Sequence, residues 1–158
     1  MLITGASGQI GTELVPYLRQ RYGVDNVIAS DVKLPVHRSA ASDGPFVFLD
    51  TTDYNSIARV CMESHVDWIF HMAALLSAVG EKEPKLAIKI NNEGVQNVLE
   101  VARMNKLRVY VPSSIAAFGD STPQTLTPQL TVQRPRTIYG ITKVYSELLG
   151  MSPCVLNQ

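Results

Sequence analysis

Three glycines, Gly5-Ala-Ser-Gly8-Gln-Ile-Gly11, stand where a short apolar strand from Met1 to Thr4 gives way to a helical pattern. Each has a distinct use in a strand-to-helix turn. Gly5 permits the tight reversal, Gly8 lets backbone N–H groups approach a pyrophosphate, and Gly11 lets the helix pack close to a sheet. The helix N-terminus adds about half a positive charge facing the phosphates. The spacing alone is a weak signal, because an ordinary turn uses the same residues.

The rest of the chain supplies the context. Short apolar runs alternate with amphipathic segments, the pattern of βαβ units and a parallel sheet. Strands are expected at 1–4, 27–32, 46–49, 68–72 and 108–111. Helices are expected over 9–22, 53–64 (with Asp53 as the cap), 84–105 and 139–149. The first helix is expected to turn Ile10, Leu14 and Leu18 inward, and to kink at Pro16, where a proline costs about 3 kcal/mol. In the second, Ile57, Val60 and Cys61 point inward. The long third helix carries the stripe Leu86, Ile90, Val95, Val98, Leu99 and Ala102. Residues 34–45 and the proline-bearing stretch 119–136 are loops. The expected architecture is α/β, a doubly wound parallel sheet (Rossmann-like) in the order 3-2-1-4-5, with right-handed crossovers. Residues 1–150 form the nucleotide-binding domain and 151–158 a separate tail.

Composition excludes several classes of function. Fourteen Lys and Arg balance fourteen Asp and Glu, so no basic footprint suggests nucleic acid or an anionic membrane. The fully apolar runs are only a handful of residues long, too short for a transmembrane helix. Cys61 and Cys154 lie far apart without metal-like spacing, which reads as reduced, incidental thiols in a reducing compartment and no metal site. The residues given carry no pattern of a signal or transit segment, so none is expected within them. At 158 residues, a catalytic sheet plus a separate substrate domain does not fit.

Asp31 lies 20 residues after Gly11, at the end of the second strand, where a carboxylate accepts both hydroxyls of a ribose. It also repels a 2′-phosphate, which favours NAD over NADP, a preference that Lys33 weakens slightly. Asp50 ends the third strand and has two readings of equal weight, an acceptor for an adenine amino group or a helix-capping or loop carboxylate. Tyr139-Gly-Ile-Thr-Lys143 places a phenol and an ammonium at i, i+4 on one helical face. A phenol of reference pKa about 10 is a poor base at neutral pH, and a nearby cation stabilises its phenolate. The bland alternative is an exposed Tyr and Lys. Ser113 and Ser114 add weight, because they follow the fifth strand on the rim where such sheets bind ligands, as do His71, Ala73 and Ala74. Ser114 can hydrogen-bond a substrate oxygen and orient it toward Tyr139; the weaker alternative is a serine that satisfies the turn backbone. His71 reads as packing or as support behind the site rather than as a catalytic group, and Asn91 as either an ordinary polar position or a buried bridge to backbone.

Together, the three glycines, Asp31, Asp50-Thr-Thr-Asp53, His71-Met-Ala-Ala74, Ser113-Ser114 and Tyr139-x-x-x-Lys143 resemble the extended short-chain dehydrogenases/reductases. Within that superfamily, the strings 75–81, 112–119 and 134–140 resemble the L-threonine 3-dehydrogenase branch. The resemblance implies NAD-dependent oxidation of the β-hydroxyl of L-threonine to 2-amino-3-oxobutanoate. Tyr139 would be the base, Ser114 its partner, Lys143 the ribose anchor, and Ser77 a contact to the amino acid. The expected cofactor set is Gly5, Gly8, Gln9, Ile10, Gly11, Asp31, Val32, Asp50, Thr51, Ala73, Ala74, Tyr139 and Lys143. The family continues past the Tyr/Lys helix into a sixth strand and a substrate domain, which 151–158 do not resemble. That departure implies a C-terminally truncated chain with little or no turnover on its own. By the same analogy, helices carrying Leu99 and Tyr145 form a homodimer face. Eukaryotic relatives would be mitochondrial and bacterial ones cytoplasmic. The alternatives are a nucleotide-sugar epimerase or dehydratase of the same superfamily, and a non-catalytic NAD-binding module.

Overall fold

The computed structural model describes residues 1–34 and 43–152. Five parallel strands, β1 (Leu2–Thr4), β2 (Ile28–Asp31), β3 (Phe46–Phe48), β4 (Trp68–His71) and β5 (Arg108–Tyr110), form one sheet in the order β3-β2-β1-β4-β5. The helices are α1 (Gln9–Tyr22), α2 (Tyr54–Glu63), α3 (Ser77–Lys82), α4 (Pro84–Ile88), α5 (Gly94–Asn105) and α6 (Ile138–Gly150). This is the expected doubly wound architecture. Among the described residues, no helix is long and apolar enough to cross a membrane. The proposed tail beyond Ser152, with Cys154, and most of the expected 34–45 loop lie outside the described residues.

The core follows from the two-residue period of the central strand, which sends successive side chains to opposite faces. Leu2 packs with Ile28, Ile57, Ile69, Val98 and Val101, the face covered by α2 and α5. Ile3 packs with Val15, Leu18, Val27 and Ala29, the face covered by α1. Both are fully buried, as the centre of a two-faced parallel sheet requires. Cys61 is a free, buried thiol in the first cluster, and burial pushes its pKa up to about 11.

Three expectations about the helices need correction. The buried face of α1 is Gly11, Val15, Leu18 and Arg19, while Ile10 is 59% exposed. Gly11 has to lie against the turn, which rotates Ile10 away from the core. Arg19 reaches back along the helix, and its guanidinium donates to the carbonyls of Val27 and Pro45. The single helix expected over 84–105 is interrupted by a π-turn, Lys89–Glu93, between α4 and α5. The turn adds a residue and re-phases the stripe, so Leu86 is exposed while Val95, Val98, Leu99 and Ala102 stay buried. Finally, α3 is a short helix within a stretch where none was expected. Asp53 caps α2 as expected, accepting from the Ser56 amide at 3.2 Å and its hydroxyl at 2.6 Å.

Candidate active site

The glycine turn is held by sterics. Gly5 has φ +69°, and a Cβ there would sit 2.6 Å from the Ala73 nitrogen. A Cβ on Gly11 would overlap the Gly5 carbonyl oxygen. Gly8 is exposed, and a Cβ there would meet only the Gly5 oxygen, at 3.2 Å. No side chain caps the N-terminus of α1, and among the described residues no acceptor takes the amides of Gln9 and Ile10. Side chains do cap α2 and α6. The first turn of α1 therefore presents open N–H donors beside an exposed glycine, the donor set that a pyrophosphate needs.

A groove of about 360 Å³ runs from this turn across the ends of the strands. Gly5, Gly8, Asp31, Val32, Asp50, Thr51, Ala73 and Ala74 line it, together with Ser7, Lys33, Leu75 and Ile90. Asp31 is held rigidly: one carboxylate oxygen accepts the Ser7 amide and the other the Lys33 amide, both at 2.9 Å. The Ser7 hydroxyl donates to the Lys33 carbonyl at 3.1 Å, which closes the corner. Of the two readings for Asp50, the loop carboxylate is visible, since one oxygen takes both the amide and the hydroxyl of Thr52 at 2.9 Å. Asp50 is nonetheless exposed on the groove. Thr51 is buried, and its carbonyl accepts from Asn97. Gln9 and Ile10 are exposed beside Gly8, and Gly11 is buried beneath Gly5.

The second half of the site lies on α6. Thr137 caps this helix by accepting the Gly140 amide at 3.0 Å. Gly140 is buried, and a Cβ there would overlap the Ala116 carbonyl oxygen. That close approach brings the turn bearing Ser114 against the turn bearing Tyr139. The Ser114 Oγ accepts the Ala116 amide at 3.2 Å, so its proton stays free to donate. Lys143 is only 7% exposed, and its Nζ donates to the Pro112 carbonyl at 2.9 Å. The same ammonium lies 5.5 Å from the centroid of the Tyr139 ring. Burial lowers its pKa. Ser113, although adjacent to Ser114, is exposed and donates to Glu147. Ser77 is exposed at the start of α3, which packs against α6.

Behind Tyr139 and Lys143 lies a polar layer. His71 is buried, with Nδ1 2.9 Å from the Thr4 hydroxyl oxygen. Burial, and secondarily the Lys143 cation, push its imidazole down to about 4. Asn91 is the buried bridge: its oxygen accepts the Leu75 amide at 2.8 Å, and its nitrogen donates to the Leu75 carbonyl and the Thr142 hydroxyl. Sequence reasoning had no role for Thr142, the Pro112 carbonyl or Glu81. Glu81 accepts the Ile138 amide at 2.7 Å. A second groove, of about 510 Å³, is lined by Leu99, Val109, Val111 and Glu147 among others, and contains none of the predicted site residues.

Comparison with known proteins is consistent with this geometry. Residues 1–151 match the model of the NAD dependent epimerase/dehydratase family. The mitochondrial L-threonine 3-dehydrogenase of Bos taurus is 48% identical over 150 residues, covering 95% of this chain and 40% of that protein. An uncharacterized epimerase/dehydratase of Staphylococcus epidermidis is 52% identical over 149 residues, 94% of this chain and 47% of the relative. The crystal structure of L-threonine dehydrogenase from Phytophthora infestans superposes with a TM-score of 0.89 at 55% identity, covering 94% of this chain and 47% of that one. The chain thus spans less than half the length of each of these relatives. With the glycine turn, the acid-bearing groove and the Tyr/Lys helix assembled on one sheet, the chain belongs to the NAD dependent epimerase/dehydratase family.

Proposed function

We propose that this chain forms the cofactor-binding and proton-transfer half of an enzyme that oxidises the β-hydroxyl of L-threonine to 2-amino-3-oxobutanoate. The observation that carries the reading is the Lys143 ammonium, anchored on the Pro112 carbonyl and 5.5 Å from the Tyr139 ring centroid. A fixed cation beside a phenol is the pairing of side chains that proton transfer at this rim calls for. Ser114 donates its free hydroxyl proton to the substrate oxygen and holds it toward Tyr139. Tyr139 takes the O–H proton of the substrate, and NAD, when bound, would supply the hydride-accepting chemistry. Lys143 has further N–H donors for the nicotinamide ribose. The α1 amides and Gly8 would hold the pyrophosphate, and Asp31 and Val32 the adenosine ribose. Asp50, Thr51, Ala73 and Ala74 form the floor of the groove.

Ser77 contacts the amino acid, residues 1–150 act as one nucleotide-binding unit with 151–158 outside it, and α5 and α6, with Leu99 and Tyr145, pair two copies. The compartment is mitochondrial in a eukaryotic source and cytoplasmic in a bacterial one. One observation favours a second reading, turnover of a nucleotide sugar: the Staphylococcus epidermidis relative is named an epimerase/dehydratase.

The test is threonine-dependent NADH formation by the longest natural form of the protein containing these residues, set against a panel of nucleotide sugars. Threonine is expected to give turnover, and Tyr139→Phe to lower kcat by roughly 10²–10⁴-fold. Turnover of a nucleotide sugar with none of threonine would overturn the assignment.

A further inference from the structure

The first amides of α6 have no acceptor inside the helix, so each must find one elsewhere. Thr137 takes the Gly140 amide. The Ile138 amide goes to an oxygen of Glu81 at 2.7 Å, across 57 residues of sequence. This is a charge-assisted hydrogen bond at the positive end of a helix, and Ile138 immediately precedes Tyr139. Among the described residues Glu81 forms no ion pair, since the two found are Arg103–Glu100 and Arg136–Asp120. Its charge is directed at the end of the helix.

Glu81 lies on α3, four residues after Ser77, so the two share a helical face. With six residues, no side-chain cap and exposed Leu76 and Val79, α3 is too short to hold its position by helix propensity. Two polar ties bind this region to α6. At the entry to α3, Asn91 links the Leu75 backbone to Thr142. Near its end, Glu81 links it to Ile138.

We infer that Glu81 is a positioning residue: it locks α3, with Ser77, against the first turn of α6, with Tyr139, and so sets the gap in which the substrate is held. The inference rests on the dehydrogenase reading above. Among the described residues, the hydrogen bond of Glu81 goes to the Ile138 amide and not to Ser114, Tyr139 or Lys143. It acts through the placement of Ser77 and Tyr139, where a small misplacement has a large effect on rate.

Glu81→Ala and Glu81→Gln in the longest natural form test this. Glu81→Ala is expected to lower kcat/KM for threonine roughly tenfold, with KM raised and kcat reduced. Affinity for NAD should be unchanged, because Gly8 and Asp31 lie outside this contact. Glu81→Gln keeps a carbonyl acceptor for the Ile138 amide and is expected to restore most of the loss. Wild-type kcat and KM in Glu81→Ala, even with a lowered Tm, would overturn the inference. If the wild type does not turn over threonine, the dehydrogenase reading fails by itself, and hydrogen exchange in the 158-residue chain then decides the contact. Glu81→Ala should speed exchange in the 76–84 and 137–140 segments together, whereas Glu81→Gln should not. Unchanged exchange in both segments would reject the lock.

Discussion

His71 ends β4 beside the central strand, with its Nδ1 against Thr4 and the Lys143 cation acting on it. The Thr4 oxygen also receives the Ala73 amide at 3.4 Å, and no other described acceptor takes the Thr4 proton. Thr4 donating to Nδ1 gives the Thr4 proton its acceptor and leaves the imidazole neutral with its proton on Nε2. Its pKa of about 4 in the fold lies below the ordinary 6.5, so the unfolded chain binds the proton more readily between those values. The stability contributed by a neutral His71 is therefore complete above about pH 6.5 and is lost as the pH falls toward about 4. The shift corresponds to on the order of 3 kcal/mol. Thermal melts from about pH 7 to 4.5 should show Tm falling, with the slope much reduced in His71→Gln. An equal slope in both proteins would show that other groups carry the acid sensitivity. The packing role of His71 was legible from its place at a strand end. Its contact with Thr4 was not, because a pairing across 67 residues leaves no local signature.

At the scale of elements, what periodicity can encode was readable. The extent of α1, the Asp53 cap on α2 and the inward face of α5 all follow from spacing and capping chemistry. The π-turn between α4 and α5 was not readable. One additional residue in a helix changes the phase without changing the composition, and Asn91, within that turn, points inward to Leu75 and Thr142. Asn91→Ala removes three hydrogen bonds at once and leaves the Leu75 amide and carbonyl unpaired. The expected cost is about 2–3 kcal/mol by chemical denaturation, since unsatisfied buried groups lose their full desolvation energy. A loss well below about 1 kcal/mol would mean that the bridge holds little of the fold. The same reasoning explains why Asp31 was found and Glu81 was not. Asp31 sits at a fixed distance from a glycine pattern, whereas Glu81 is recognisable only once α3 and α6 are packed together.

Over the whole molecule, parallel order brings the ends of β1, β2, β3 and β4 to one rim, and the groove lies along it. Strand order and the residues of this rim were expected from the alternation of elements. The fine division of labour was not, because backbone acceptors such as the Pro112 carbonyl have no residue type to read. The account stands on the claim that this rim takes NAD, with the open α1 amides at one end and the Asp31 carboxylate at the other. Calorimetric titration of the 158-residue chain with NAD and NADP tests it, with a cooperative thermal transition as the check on folding. The expected result is one NAD bound per chain and NADP at least roughly tenfold weaker, because Asp31 repels a 2′-phosphate. A folded chain that gives no heat with NAD, or that prefers NADP, would contradict the account.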